Sequence, residues 1–290
     1  MIQEYLDFPK RVEIEPSAVC NFKCSYCPRR FVEGLGGFID ETLFRRLVDE
    51  VAAHPDRIVV LHRRGESLLH PKIADLLHYV AGKFAEVQMA TNGSIMNEKI
   101  ARALFDGVDF LSFSLDPPAT FEQVRGFDYP TVKRNVEFLL EMKEKWNATT
   151  KVQVSMVRTG ETLEENVQAF KAEWAGKVGR IRVYEEHSAN GNFGSLKAPR
   201  SERKPCVMPF YQTLIYVDGK VGRCNHDWDG EPLGDVTRQT ISEVWNSPAY
   251  RGLRDQHEKL QITDATCAPC DSWYPEIGNQ GTGEVVDERS

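Results

Sequence analysis

Nowhere do about eighteen apolar residues run together in this chain, so the sequence predicts no membrane-spanning helix. The opening stretch from Met1 to Lys10 lacks the apolar core of a secretion signal. Positive charge is in deficit, with 36 Lys and Arg against 43 Asp and Glu and a net charge of -7. That balance gives no basic footprint for following a phosphate backbone, so nucleic acid is not expected as a partner. No internal repeat of fixed period is present, which argues against a solenoid or propeller array. From these absences we expect a soluble, cytoplasmic protein.

Cysteines number only 7, and an odd count without a secretion signal argues against a disulfide framework. They fall into a set of three, Cys20, Cys24 and Cys27, and a set of four, Cys206, Cys224, Cys267 and Cys270. That division matches one metal cluster with an open coordination position and another that is fully ligated.

At 290 residues the chain has room for one substantial α/β core and a small appended lobe. Short apolar runs alternate with amphipathic stretches, the rhythm of βα units around a parallel sheet. Strands are predicted at 12–14, 58–61, 86–90, 110–115, 151–157 and 180–184. Asp40 reads as an N-cap ahead of Leu43, Phe44, Leu47, Val48 and Val51 at helical spacing. Pro71 opens a helix carrying Ile73, Leu76, Leu77 and Val80, and further helices are predicted at 97–106, 131–146 and 161–174. Six units are too few for a closed eight-stranded barrel. The expected fold class is therefore α/β, an open, partial (β/α)6 TIM-like barrel with its ligand site at the C-terminal strand ends. Residues 1–186 are assigned to the barrel, and 187–205 to a linker or a loop over the site. Residues 206–275 form a small second lobe: a hairpin turning at Asp218-Gly219, a helix at 239–254 and the Cys267-Ala-Pro-Cys270 knuckle. The tail, 276–290, is expected to fray.

Cys20-Asn-Phe-Lys-Cys24-Ser-Tyr-Cys27 follows the first strand directly. Three thiolates on a four-iron cubane leave one iron open to a small molecule. A structural zinc ion wants four ligands, and no fourth Cys or His stands nearby. On this CxxxCxxC motif the chain resembles the radical S-adenosylmethionine (SAM) superfamily. The resemblance implies a [4Fe-4S] cluster on these cysteines that binds SAM and, when reduced, cleaves it to methionine and a 5′-deoxyadenosyl radical. It also implies Tyr26 against the adenine and Gly65-Glu66 at the SAM ammonium. Here the sequence departs from the family's GGEP element, reading Arg63-Arg64-Gly65-Glu66-Ser67 without one glycine and the proline. Asn92 in the Thr91-Asn92-Gly93 turn, with Ser112, Ser114 and Asp116 on and after the fourth strand, matches the adenine and ribose regions. Taken singly, such a turn and such alternating serines are also ordinary structure.

Cys206 and Cys224 bracket the hairpin, and Cys267 and Cys270 close the lobe. Four soft thiolates suit zinc or an iron-sulfur cluster, and spacing alone does not choose. The Gly219-x4-Cys224 element and the later pair resemble Twitch, a shortened SPASM domain that binds one auxiliary [4Fe-4S] cluster. From Cys206 to Cys270, through Leu233-Gly-Asp-Val and Ile241-Ser-Glu-Val-Trp245, the likeness is strongest to 2-deoxy-scyllo-inosamine dehydrogenases of that superfamily. That likeness implies oxidation: hydrogen-atom loss from a carbon bearing a hydroxyl, with the remaining electron taken by the second cluster. With all 7 cysteines as ligands, no thiol is left to return a hydrogen atom, which disfavours radical epimerisation.

Candidate substrate-facing residues are Arg64, His226 with its neighbour Asn225, and Arg158. An Arg64 fork suits a carboxylate or phosphate, or else an ion pair with a nearby acid. His226 could accept the hydroxyl proton or could be a surface histidine. Arg158, after the fifth strand, reaches SAM or substrate, or is merely solvated. The expected substrate is a small polar, sugar- or cyclitol-like molecule, and the expected partner a reductant such as flavodoxin or ferredoxin. Roughly a dozen residues precede the first strand, too few for a leader-binding domain, which favours a small molecule over a peptide. The alternatives are a peptide-modifying SPASM-type maturase, a redox-neutral lyase or decarboxylase, and a non-catalytic zinc-binding module.

Overall fold

Strands of this protein turn their apolar residues outward to the helices and their polar residues inward, the reverse of a filled barrel core. The computed structural model describes residues 7–160, 162–186, 203–271, 273–274, 276–277 and 283–288. Six strands, β1 (Arg11–Ile14), β2 (Ile58–Val60), β3 (Glu86–Thr91), β4 (Phe110–Ser114), β5 (Lys151–Arg158) and β6 (Arg180–Glu185), pair in parallel and in sequence order. Helices α1 (Glu41–Ala52), α2 (Ile73–Val80), α3 (Glu98–Gly107), α4 (Phe121–Arg125), α5 (Tyr129–Lys145) and α6 (Glu164–Trp174) connect and cover them. The result is the expected α/β fold, a partial barrel dominated by parallel pairing.

Local chemistry explains the boundaries. Asp40 caps α1 by accepting from the amides of Thr42 and Leu43, as its position predicts. Asp128 caps α5 through Thr131 N, with Pro130 in the first turn, so this helix starts two residues before the predicted 131. Phe44, Leu47, Val48 and Val51 of α1 pack as one fully buried stripe against the sheet.

The second part of the chain differs from expectation. After α7 (Met208–Tyr211), strand β7 (Gln212–Ile215) pairs in parallel with β1, from Arg11 opposite Gln212 to Ile14 opposite Ile215. Strands β8 (Lys220–Gly222) and β9 (Gly234–Asp235) follow in antiparallel pairing. The hairpin therefore extends the barrel sheet beyond β1 instead of standing apart. The predicted helix at 239–254 is two helices, α8 (Ile241–Trp245) and α9 (Pro248–Lys259). Ser247 caps the second through Tyr250 N and Pro248 opens it, which is why a single helix cannot run through. The tail contributes β10 (Gly283–Glu288), antiparallel to β6, and the sheet order becomes β10-β6-β5-β4-β3-β2-β1-β7-β8-β9. Most of the predicted linker, 187–202, lies outside the described residues. Among the described residues no helix is long and apolar enough to cross a membrane.

Helices α2 and α3 touch through Gly107, where an added Cβ would stand 2.3 Å from the carbonyl oxygen of Leu77. Gly107→Ala is expected to destabilise the protein by about 1–3 kcal/mol through overpacking. A urea-unfolding midpoint measures this; an unchanged midpoint would contradict the packing described.

Candidate functional site

The site is assembled at the C-terminal strand ends, where β1 leads into the Cys20 loop and β2 into Gly65-Glu66. An added Cβ on Gly65 would meet Ser17 O at 2.3 Å and Val19 O at 2.5 Å, so only glycine lets the two loops touch. Glu66 N then donates to Val19 O at 2.8 Å. The Glu66 carboxylate is buried and accepts from Leu68 N (3.0 Å), Thr91 Oγ1 (2.8 Å) and Asn92 N (2.6 Å). Burial raises its pKa, while these bonds act to lower it. Asn92 in turn donates from Nδ2 to Asn21 Oδ1 at 2.9 Å, on the cysteine loop. The shortened Arg-Gly-Glu-Ser sequence thus keeps a fixed acid at the strand end.

A cavity of about 700 Å³ opens here and runs down the barrel. Cys20, Cys24 and Cys27 line it together with Tyr26, Gly65, Glu66, Asn92, Ser112 and Ser114, so the sequence-predicted residues converge. Burial pushes the Cys20 thiol up and the Cys27 thiol up to about 11. Cationic iron at these positions would offset the cost of holding thiolates there. Three thiols on one wall of an open cavity are a donor set that fits a cubane with a vacant iron. Ser112 is itself engaged, accepting from Gln153 Nε2 at 2.8 Å.

Asp116 departs from expectation. Its buried carboxylate is occupied by Arg125 Nε (2.5 Å), Tyr26 Oη (2.8 Å) and Val157 N (3.1 Å), and it is absent from the cavity lining. Asp116 therefore holds Tyr26 in place, and Arg125, which the sequence reading missed, sets its Nη1 3.8 Å from Cys24 Sγ.

All of Cys206, Cys224, Cys267 and Cys270 line one smaller pocket. Tyr274 N points at Cys206 Sγ (3.4 Å) and His226 N at Cys224 Sγ (3.5 Å). Burial raises the thiols of Cys206, Cys224 and Cys267 above the ordinary range. Among the described residues, no three His, Cys, Asp or Glu side chains are close enough to hold a single metal ion. A cubane makes no such demand, since each thiolate bonds a different iron. His226 is buried, not superficial, with Nε2 3.2 Å from Tyr274 Oη, and it lines both this pocket and the large cavity.

Two predicted arginines are otherwise engaged. Arg64 reaches the cavity wall, but its fork grips Glu15: Nε to Oε1 at 3.0 Å and Nη2 to Oε2 at 2.8 Å, over the Tyr216 ring. The ion-pair alternative is the one observed, because a fully buried Glu15 demands a cation. Arg158 pairs with Glu164 (3.3 Å) and Glu185 (3.7 Å) and does not line the cavity. Neither Glu15 nor the buried Glu13 was singled out from sequence, although an acid alternating with Val12 and Ile14 was the available signal. Glu15→Ala leaves Arg64 uncompensated and should cost about 3–5 kcal/mol by urea unfolding; a change below about 1 kcal/mol would contradict this geometry.

Residues 14–172 match the profile of the radical SAM superfamily, and residues 206–271 match SPASM, an iron-sulfur cluster-binding domain. The AdoMet-dependent heme synthase of Methanosarcina barkeri is 25% identical over 323 residues, covering 90% of this chain and 91% of that protein. The tungsten-containing aldehyde ferredoxin oxidoreductase cofactor-modifying protein of Pyrococcus furiosus is 26% identical over 117 residues, 40% of this chain and only 33% of that protein. Among solved structures, Streptococcus suis SuiB bound to precursor peptide SuiA aligns with a TM-score of 0.70 at 14% identity, covering 86% of this chain and 67% of SuiB. BtrN in complex with AdoMet and 2-DOIA aligns with a TM-score of 0.61 at 15% identity, covering 93% of this chain and 98% of BtrN. These structural likenesses show a shared fold. With an open-cubane donor set at the strand ends and the superfamily profile spanning more than half of the chain, the protein belongs to the radical SAM superfamily.

Proposed function

We propose that this enzyme oxidises a small polar alcohol, sugar- or cyclitol-like, to a ketone in the strand-end cavity. One observation carries the reading: His226 forms a wall common to the cavity reached by Cys20, Cys24 and Cys27 and to the pocket of the other four cysteines. A substrate there would lie between Cys20, Cys24 and Cys27 on one side and the pocket of the other four cysteines on the other, with His226 as the proton acceptor beside it.

Superfamily membership brings SAM and a [4Fe-4S] cluster, and the SPASM domain an auxiliary iron-sulfur centre. Cys20, Cys24 and Cys27 would hold the first; Tyr26, Gly65, Glu66, Asn92, Ser112 and Ser114 would surround SAM; Cys206, Cys224, Cys267 and Cys270 would hold the second. When bound, these groups supply a 5′-deoxyadenosyl radical that removes one hydrogen atom from carbon, and an acceptor for the electron left behind. The chain's own part is positioning and proton transfer. Glu66, fixed by three donors, offers a carboxylate to an ammonium. His226, oriented by Tyr274, takes the hydroxyl proton as the carbonyl forms. Asn225 lines the same cavity and offers an amide to the substrate. An external one-electron donor such as flavodoxin or ferredoxin would supply the priming electron. Thereafter the electron taken from each substrate equals the one spent on SAM, so alcohol and SAM give ketone, methionine, 5′-deoxyadenosine and one proton with no net reductant.

A second reading is favoured by Arg180 and Arg182, which line the cavity from β6 and suit a carboxylate-bearing substrate. That substrate would enter a redox-neutral or decarboxylating reaction. Product analysis separates the two: the dehydrogenase consumes one SAM per substrate and yields methionine, 5′-deoxyadenosine and a ketone. A product of unchanged oxidation level overturns it.

His226→Phe, in protein of unchanged iron content, should lower ketone formation about 10²- to 10⁴-fold while 5′-deoxyadenosine continues to form. Chromatographic quantification of both products checks this. Equal ketone yields from variant and wild type would remove His226 from the mechanism.

A further inference from the structure

The buried face of α9 is formed by Tyr250, Leu253, Arg254 and His257. His257 is 1% exposed and lines the pocket of Cys206, Cys224, Cys267 and Cys270, although nothing in the reaction described above requires it. Its Nδ1 stands 3.3 Å from the backbone N–H of Cys206, which donates to it. A ring nitrogen that accepts carries no proton, so in the neutral imidazole the hydrogen is on Nε2, a tautomer fixed by the bond at the other nitrogen. That Nε2 is buried and has no hydrogen-bond partner among the described residues. A buried donor without an acceptor is costly and calls for a specific explanation.

We propose that His257 Nε2–H donates a hydrogen bond to a sulfur of the auxiliary cluster and thereby raises its reduction potential. The inference rests on the assignment of Cys206, Cys224, Cys267 and Cys270 to that cluster. Hydrogen bonds to cluster sulfurs favour the reduced, more negative state, which is one of the recognised controls on iron-sulfur potentials. The Tyr274 and His226 amides already point at Cys206 Sγ and Cys224 Sγ, but they belong to the backbone. His257 supplies the side-chain contribution and is therefore a positioning residue that sequence change can tune without touching a ligand. Its ring also ties the end of α9 to the amide of a ligand cysteine, so the same residue orients Cys206.

The test compares wild type, His257→Leu and His257→Gln as full-length protein loaded with iron and sulfide, by EPR-monitored potentiometric titration. The auxiliary midpoint should move to a more negative potential in His257→Leu, with the first cluster's midpoint unchanged as internal control. His257→Gln, which keeps an N–H donor, should recover at least half of the shift. Among the exchangeable-proton couplings at the auxiliary cluster, lost in D2O, one should be missing from His257→Leu while those of the Tyr274 and His226 amides persist. An unmoved midpoint at full iron and sulfide content overturns the proposal, as do equal shifts in the two variants. Protein that takes up only one cluster's iron and sulfide overturns the cysteine assignment and, with it, this inference.

Discussion

Everything at this site depends on the buried carboxylate of Glu15, the first residue after β1. It accepts from Arg64 N (2.9 Å), from both arms of the Arg64 fork and from Val217 N (3.2 Å), while Glu15 N donates to Ile215 O at 2.9 Å. One side chain thus ties the strand leading to Cys20, the loop ahead of Gly65-Glu66 and the end of β7. Because β7 lies against β1 in parallel and β8 returns antiparallel, Cys206 and Cys224, which flank the hairpin, lie toward the N-terminal end of β1, at the opposite end of the sheet from the CxxxCxxC loop. The charges are affordable only as a pair: either one alone in this dry position carries an uncompensated desolvation penalty.

The inverted polarity of the strands is the second condition. A filled eight-stranded barrel packs branched apolar side chains inside. Here β1, β5, β6 and β7 send Glu13, Gln153, Arg182 and Gln212 inward, and the core lies between strands and helices. The open arc and polar interior leave a cavity reaching far below the strand ends, large enough for a cosubstrate and a substrate together. Gly65 closes its rim by allowing backbone against backbone, and Asp116 stiffens it by holding Tyr26 and Arg125.

Much of this was legible in the sequence, for definable reasons. The six βα units are visible because the helices face the core on one side only and so keep a strong period, as with Phe44, Leu47, Val48 and Val51. The CxxxCxxC spacing of Cys20, Cys24 and Cys27 carries chemistry without tertiary information, whereas the spacing of the other four cysteines leaves zinc and an iron-sulfur cluster open. What stayed hidden was long-range: the pairing of β7 with β1, the tail strand on β6, and the choice of Glu15 as partner for Arg64. Local pattern reports which face of an element is apolar, not which distant strand completes it. Arg64, Arg158 and Asp116 were polar residues at strand ends, and only the positions of Glu15, Glu164 and Arg125 determine which of them face a ligand.

The proposed dehydrogenation requires the radical to form within reach of the substrate and the remaining electron to leave without admitting other reactants. Sharing one wall, His226 and Tyr274, between two cysteine-lined spaces meets both demands with a single sheet. The most direct measurement is SAM cleavage by anaerobic, iron- and sulfide-loaded protein under strong reductant, comparing wild type with Cys24→Ala. The structure predicts methionine and 5′-deoxyadenosine from wild type and neither from the variant. Loaded wild type that leaves SAM intact, or a variant that cleaves it equally well, would contradict the account.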